Sequence, residues 1–363
     1  MPHTIQEIAS ALGLEAVGDT SIIIDGANEP AEASARDIAL AMKPTYAEGL
    51  ANSRARVAMV WDGADWQAMG LEAAILTGRS RYAMAGLSQI IDPGQHYPSG
   101  ISPSAHVDPT AEIGEGVTIG PFTMVGARAR IGAGSVLGPQ CYVGADVVLG
   151  AGARLHSGAR LMARVQAGDR LIVQPNAVIG GDGFSFVTPE VSGVEKARKT
   201  LGDQGDVTNQ SWTRIHTLGS VTLGSDVEVG ACSTIDSGTI RDTRIGDGTK
   251  IDNQVMIGHN CIIGRDCLLC GHVGLAGSVT IGNNVVLGGK TGVSDNTSIG
   301  DNAICGAATV VLSKVPAGRV MLGYPAVKME QHLEMYKHLR RLPRLAGQVA
   351  ELQKAVSKDE TSD

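Results

Sequence analysis

The chain has 363 residues and a formal net charge of −7, from 30 basic and 37 acidic side chains. Its 48 glycines are nearly twice the usual share of about 7%, while aromatic residues make up only 3% and hydrophobic residues 43%. With 14 prolines and no three-residue period this is neither collagen nor a disordered chain, and its charge offers no general attraction for nucleic acid.

Met1 to Ser10 lack a basic start and an apolar run, so no export signal is expected. No stretch of about 18 apolar residues occurs, so no membrane span is expected. Six cysteines without an export signal point to reduced thiols in the cytoplasm.

Residues 1–100 show no short period and read as a small α/β domain. Ser21–Ile24, Val57–Trp61 and Gln89–Ile91 read as strands, and Thr4–Leu12 and Gly63–Leu76 as helices. Pro93, Pro98 and Pro103 punctuate the exit from this domain.

From Ile101 an aliphatic residue recurs every six positions, through Val107, Ile113 and Ile119 as far as Ile179. The period resumes at Leu223, Val229 and Ile235. It slips by four residues across Arg241–Arg244, where a bulge or small loop is expected, and then runs from Ile245 to Ile299. A glycine usually follows each aliphatic residue (Gly114, Gly120, Gly126). Four residues after it stands a small or β-branched side chain (Ala111, Val117, Thr123, Ala129). This pattern predicts one short strand and one corner per six residues, two inward side chains per strand, and glycine relaxing the corner backbone. Three sides close an 18-residue coil, and stacked coils pair in parallel about 4.8 Å apart. Residues 101–318 then form a prism of about ten coils, roughly 48 Å long.

Cys141, Cys261 and Cys267 fall in the small inward slot and Cys305 in the aliphatic one. Cys267-Leu268-Leu269-Cys270 therefore reads as packing, not as a metal or redox motif. No His/Cys/Asp set has the spacing of zinc ligands, so no metal is expected.

Residues 184–214 interrupt the prism with Pro189, several glycines and Trp212, and read as an excursion loop of a length that often carries function. Residues 319–363 change period. After Pro316 and Pro325, the spacing of Met329, Leu333 and Tyr336, and then of Leu345, Val349, Leu352 and Val356, is helical. Pro343 is expected to break this into two helices. Lys328, Lys337, Arg340, Arg341 and Arg344 face only Glu330 and Glu334 in number. Such a stretch is either a solvated helix face or a dock for an acidic partner.

The most specific run is Ile251-Asp252-Asn253-Gln254-Val255-Met256-Ile257-Gly258-His259-Asn260. Upstream of it stand Ile179-Gly180-Gly181-Asp182-Gly183-Phe184 and Gly230-Ala231-Cys232-Ser233-Thr234-Ile235-Asp236. Downstream stand Leu275-Ala276-Gly277-Ser278 and Gly288-Gly289-Lys290-Thr291-Gly292-Val293. In this order, and over nearly the whole chain, they strongly resemble the UDP-3-O-(3-hydroxyacyl)glucosamine N-acyltransferases of lipid A assembly, within the hexapeptide-repeat acyltransferases. The resemblance implies a left-handed β-helix, a homotrimer and helices after the prism. It also implies transfer of a 3-hydroxyacyl chain from the phosphopantetheine thioester of acyl carrier protein to the 2-amine of UDP-3-O-acyl-glucosamine. No tightly bound cofactor is implied, and membrane contact is at most transient.

Such a reaction needs a neutral amine, hence a general base near physiological pH, and a donor for the oxyanion. His259, two residues after Ile257, falls at a corner rather than in the core, and the resemblance assigns it the base. Gly277 lies one coil later, stacked over His259 about 4.8 Å along the axis. Its N–H is either the oxyanion donor or that of an ordinary corner glycine. Asp252 and Asn253 lie on the neighbouring side of the coil. The resemblance places them in the substrate and phosphopantetheine groove, and corner hydrogen bonding is the alternative. His272 reads as a surface or groove histidine.

Two places depart from the family pattern. Its uridine clamp of an aromatic residue, an asparagine and a tyrosine falls on Leu40, Lys43 and Tyr46, where Tyr46 alone keeps the type. A ring can stack on uracil, whereas leucine only packs and Lys43 can approach the diphosphate. Many relatives carry a second histidine where this chain has Asn296, which cannot titrate near neutrality. Two other functions remain open on the same prism: an O-acyltransferase or acetyl-CoA-dependent sugar acetyltransferase, and a trimeric scaffold without enzymatic activity.

Overall fold

A computed structural model describes residues 2–200, 202–206, 209–323 and 326–359; Pro325 lies outside them. The chain divides into two compact units, Met1–His96 and Tyr97–Asp363.

The first unit is a five-stranded sheet in the spatial order Glu15–Gly18, Ala73–Thr77, Val57–Trp61, Asp37–Ala41, Gly26–Asn28. The outermost pair, Glu15–Gly18 with Ala73–Thr77, is antiparallel and the other pairs are parallel. Alternation sorts the side chains: Val57 and Met59 pack with Ile5, Ile8 and Leu87, while Ala58 and Val60 pack with Leu50 and Leu71 on the other face. The helix Ile5–Leu12 starts at a Thr4–Glu7 capping box and stops at Gly13 in the left-handed region.

Two sequence expectations fail in this unit. Gly63–Leu76 is not a helix: it is turns followed by the strand Ala73–Thr77. That strand lies between two others and is buried on both faces, so its apolar run carries no period of two. Gln89–Ile91 is not a strand but the last turn of the helix Ser80–Ile91, whose Ala83 and Leu87 face the core.

The second unit is the prism. Its strands, mostly of two residues, form three parallel sheets of ten, ten and nine strands among the described residues. Ile119 pairs with Leu137 and Val125 with Val143, eighteen residues apart. This is a left-handed parallel β-helix. The aliphatic column fills the axis, with Leu137, Leu155, Leu161 and Leu287 essentially inaccessible. Hydroxyls in the small column tie coils together: Thr123 donates to Gly138 O at 2.6 Å and accepts from Cys141 N–H at 3.1 Å.

The glycines serve a different purpose from the one expected. Most glycines directly after the aliphatic residues have ordinary backbone angles, and what they lack is room. A Cβ at Gly132 would stand 2.3 Å from Gly150 C, and one at Gly230 2.3 Å from Asp252 C. The left-handed residue comes two positions later and is mostly not glycine: Asn176, Asp226, Asn260, Asn284 and Asn302 all have φ between 54° and 60°. Asparagine and aspartate tolerate that region best among non-glycine residues.

Leu223 pairs with Ile245, twenty-two residues on, so the four extra residues are absorbed in the bends between Asp236 and Thr243. The excursion expected over 184–214 is more than a loop. Phe186–Val187 pairs antiparallel with Thr213–Arg214, and Gly193–Thr200 is a helix. The C-terminal segment is one helix, Met329–Asp359, running through Pro343 rather than breaking there. Among the described residues no helix is long and apolar enough to cross a membrane.

Candidate active site

His259 follows the strand Met256–Ile257, whose Ile257 points to the core, so its half-buried side chain leaves the prism at a corner. Three neighbours hold it. A Cβ on Gly183 would stand 2.8 Å from His259 Cβ, and a Cβ on Gly277 2.7 Å from both Cε1 and Nε2, so both glycines make space for the side chain. Asn260 Nδ2 lies 3.1 Å from His259 Nδ1. Because Thr239 N–H donates to Asn260 Oδ1 at 2.7 Å, the amide turns its NH2 to the ring. In this arrangement Nδ1 is the acceptor and the neutral imidazole carries its hydrogen on Nε2.

His259, Gly277 and Asn296 line one cavity of about 430 Å³ together with Asp236, Phe184 and Arg198. Asn296 N–H donates to Gly277 O at 3.1 Å. Among the described residues Gly277 N–H has no acceptor. An adjoining open cavity of about 680 Å³ also reaches His259 and is walled by the excursion: Phe184, Phe186, Val187, Val194 and Trp212. The rings of Phe184 and Phe186 meet edge to face, with centroids 5.0 Å apart.

Sequence reasoning passed over Asp236. It is half buried, and burial pushes its carboxyl up to about 6, against a hydrogen bond from the Phe184 backbone that lowers it and the charge of Asp182 that raises it. A signal was available: Asp236, like Asp252, occupies the position after the aliphatic residue, which most coils give to glycine.

Within one chain Asp252 and Asn253 are not brought to His259. They line a separate cavity with Gln174, Glu228, Lys250 and Cys270. Both bind corners: Asp252 accepts from Gly271 N–H at 2.8 Å and Asn253 Oδ1 from Ala231 N–H at 2.6 Å. His272 is exposed. In the first unit Leu40 packs partly against the core, while Lys43 and Tyr46 are exposed at the start of the short helix Pro44–Ala47. Cys141, Cys261, Cys267 and Cys305 are buried as their register demands, Cys270 is half buried and Cys232 exposed. Among the described residues no group of three or more His, Cys, Asp or Glu side chains is placed to hold a metal ion.

The bacterial transferase hexapeptide (six repeats) family matches residues 242–277, which contain His259 and Gly277. The UDP-3-O-acylglucosamine N-acyltransferase of Ruegeria pomeroyi is 61% identical over 363 residues, covering all of both chains. That of Paracoccus denitrificans is 54% identical over 358 residues, 99% of this chain and 98% of its own. The Arabidopsis UDP-N-acetylglucosamine acyltransferase structure superposes with a TM-score of 0.53 at 25% identity, over 62% of this chain and 71% of its own. Full-length identity of this order, over a prism whose coils hold His259 and Gly277 at one corner, places the chain in the UDP-3-O-acylglucosamine N-acyltransferase family of acyltransferases.

Proposed function

We propose that the protein transfers a 3-hydroxyacyl chain from the phosphopantetheine thioester of acyl carrier protein to the 2-amine of UDP-3-O-acyl-glucosamine, in the cytoplasm and as a homotrimer. The observation that carries this reading is the pairing of His259 with an open backbone N–H on Gly277 at one corner. His259 takes the proton of the attacking amine and passes it to the departing sulfur. Gly277 N–H meets the oxyanion, and no covalent enzyme intermediate is needed. Asp236 offers the amine a carboxylate, and the aromatic excursion offers the acyl chain an apolar wall.

The base needs a lone pair on Nε2, which the resting contact with Asn260 does not provide. A half-turn of the ring about Cβ–Cγ breaks that contact, and uptake of a proton from water at Nδ1 with loss of the Nε2 proton to water then supplies it. Because Cε1 and Nε2 stand equally far from the Cβ position of Gly277, the turn leaves that packing unchanged and frees Nδ1 to hold the hydrogen.

Asp252 and Asn253 join this site from a second copy of the chain across a groove between subunits. Leu333, Tyr336, Leu345 and Leu352 are exposed on the C-terminal helix of a single chain, and they supply the seam of a helical bundle. The basic residues of the same helix steer the acidic carrier. Tyr46 and Lys43 meet the uridine and its diphosphate.

The test is acyl transfer by purified protein with 3-hydroxyacyl carrier protein and UDP-3-O-acyl-glucosamine, beside acetyl-CoA as an alternative donor. His259→Ala is expected to lower turnover by about 10²–10⁴-fold with acceptor binding kept. Turnover with acetyl-CoA alone would point to the sugar acetyltransferase, and no turnover with any donor to the scaffold.

A further inference from the structure

The corner N–H two residues after each inward aliphatic follows a rule. Where the next coil places Asp or Asn in the corresponding position, that side chain caps the N–H. Asp169 caps Ala151 at 2.8 Å, Asp247 caps Ser225 at 2.8 Å and Asn253 caps Ala231 at 2.6 Å. Asn283 caps Arg265 at 2.9 Å and Asp301 caps Asn283 at 2.7 Å. Serine does not follow the rule: Ser225 caps Asp169 at 3.1 Å, whereas, among the described residues, Ser237 and Ser313 leave Gly181 N–H and Asp295 N–H uncapped. Among the described residues one pair breaks the rule. Asp295 stands eighteen residues after Gly277, in the capping position, yet Gly277 N–H has no acceptor. The Asp295 carboxylate goes instead to Arg198 on the excursion helix, at 2.9 Å. Its remaining contacts are the Ser294 hydroxyl and the Asn296 amide, each at 3.3 Å.

We propose that Arg198 is a positioning residue that draws Asp295 off the corner and so keeps Gly277 N–H open for the oxyanion. A carboxylate seated on that N–H would fill the place of the developing negative charge and repel it. The guanidinium gives the carboxylate a stronger, charge-assisted partner, and Arg198 and Asp295 both line the His259 cavity. The excursion thereby does more than wall the adjoining cavity: its helix carries the group that uncovers the donor. This rests on the proposed role of Gly277.

The experiment compares Arg198→Ala with the double variant Arg198→Ala/Asp295→Ala. In the single variant Asp295 falls back onto Gly277 N–H, and kcat is expected to drop about 10²-fold, the cost of one lost oxyanion donor, with the acceptor KM little changed. Removing the carboxylate as well is expected to restore at least tenfold of that loss. A double variant as slow as the single one overturns the proposal, because Arg198 would then act only by holding the excursion. A crystal structure of Arg198→Ala provides a readout without turnover. Asp295 at hydrogen-bonding distance from Gly277 N supports the proposal, and an uncapped Gly277 N overturns it. A capped Gly277 with unchanged kcat removes Gly277 from the chemistry, and the functional half of the proposal falls with that reading.

Discussion

The imidazole of His259 stands over the backbone of Gly277, with Cε1 and Nε2 both 2.7 Å from the point a Cβ on residue 277 would occupy. Gly277→Ala therefore pushes the ring aside without disturbing the core, since the methyl meets the mobile end of one side chain. The expected result is a fall in kcat of about 10²–10³-fold with a melting temperature close to wild type. An alanine variant with full activity would remove the ring position over residue 277 from the mechanism, since alanine keeps the backbone N–H and changes only the space above it.

Asp236 links stability to pH in an unusual direction. Its folded carboxyl titrates at about 6 instead of 3.8, so between these values the folded state holds a proton that the unfolded state has lost. Stability from this group therefore falls as pH rises through that window and stays low above it. Asp236→Asn is expected to melt above wild type at about pH 7.5 by on the order of 1–3 °C, a difference limited by the carboxyl's partial exposure. The two should converge below about pH 4. Its acceptor KM is expected to rise about tenfold, since the amine loses a charged partner. Calorimetric melts across pH, set beside initial rates at varied acceptor, measure both effects.

Thiol chemistry should follow burial. Burial pushes the Cys141 and Cys261 thiols up to about 11, so both stay protonated and shielded. At about pH 8, where an exposed thiol is partly ionised, a small disulfide reagent is expected to modify Cys232 fast and Cys270 slowly. Cys141, Cys261, Cys267 and Cys305 should react only after denaturation. Mass spectrometry of the modified peptides decides this, and early labelling of Cys261 would mean the core opens.

The C-terminal helix gives a test of assembly. Leu345 and Leu352 are exposed in the single chain, and aspartate at both is expected to disrupt the bundle proposed for the trimer. Sedimentation should show smaller species or a weaker trimer, while thermal melting still reports a folded prism. An unchanged trimer would place the subunit contact on the prism alone.

The prism was legible because its period is local. One inward aliphatic every six residues states where each strand and corner lies, and stacked coils repeat the statement. The same register placed His259 outside the core, Gly277 one coil beyond it, and Cys141, Cys261 and Cys267 inside. The first unit was less legible: Ala73–Thr77, covered on both faces, carries no alternation to tell strand from helix. Pro343 misled because its ring removes one hydrogen bond but does not force a helix to end.

The contacts that tune the corner had no local signature. Thr239 fixing the Asn260 amide that faces His259, Asp236 opening onto the His259 cavity, and Arg198 holding Asp295 are contacts that the six-residue period does not announce. Arg198 and Asp295 are 97 positions apart. A repeat dictates what every coil shares, because each coil must fill the same cross-section. What sets one corner apart from the rest depends on which side chain the excursion brings against it, and only the folded chain decides that.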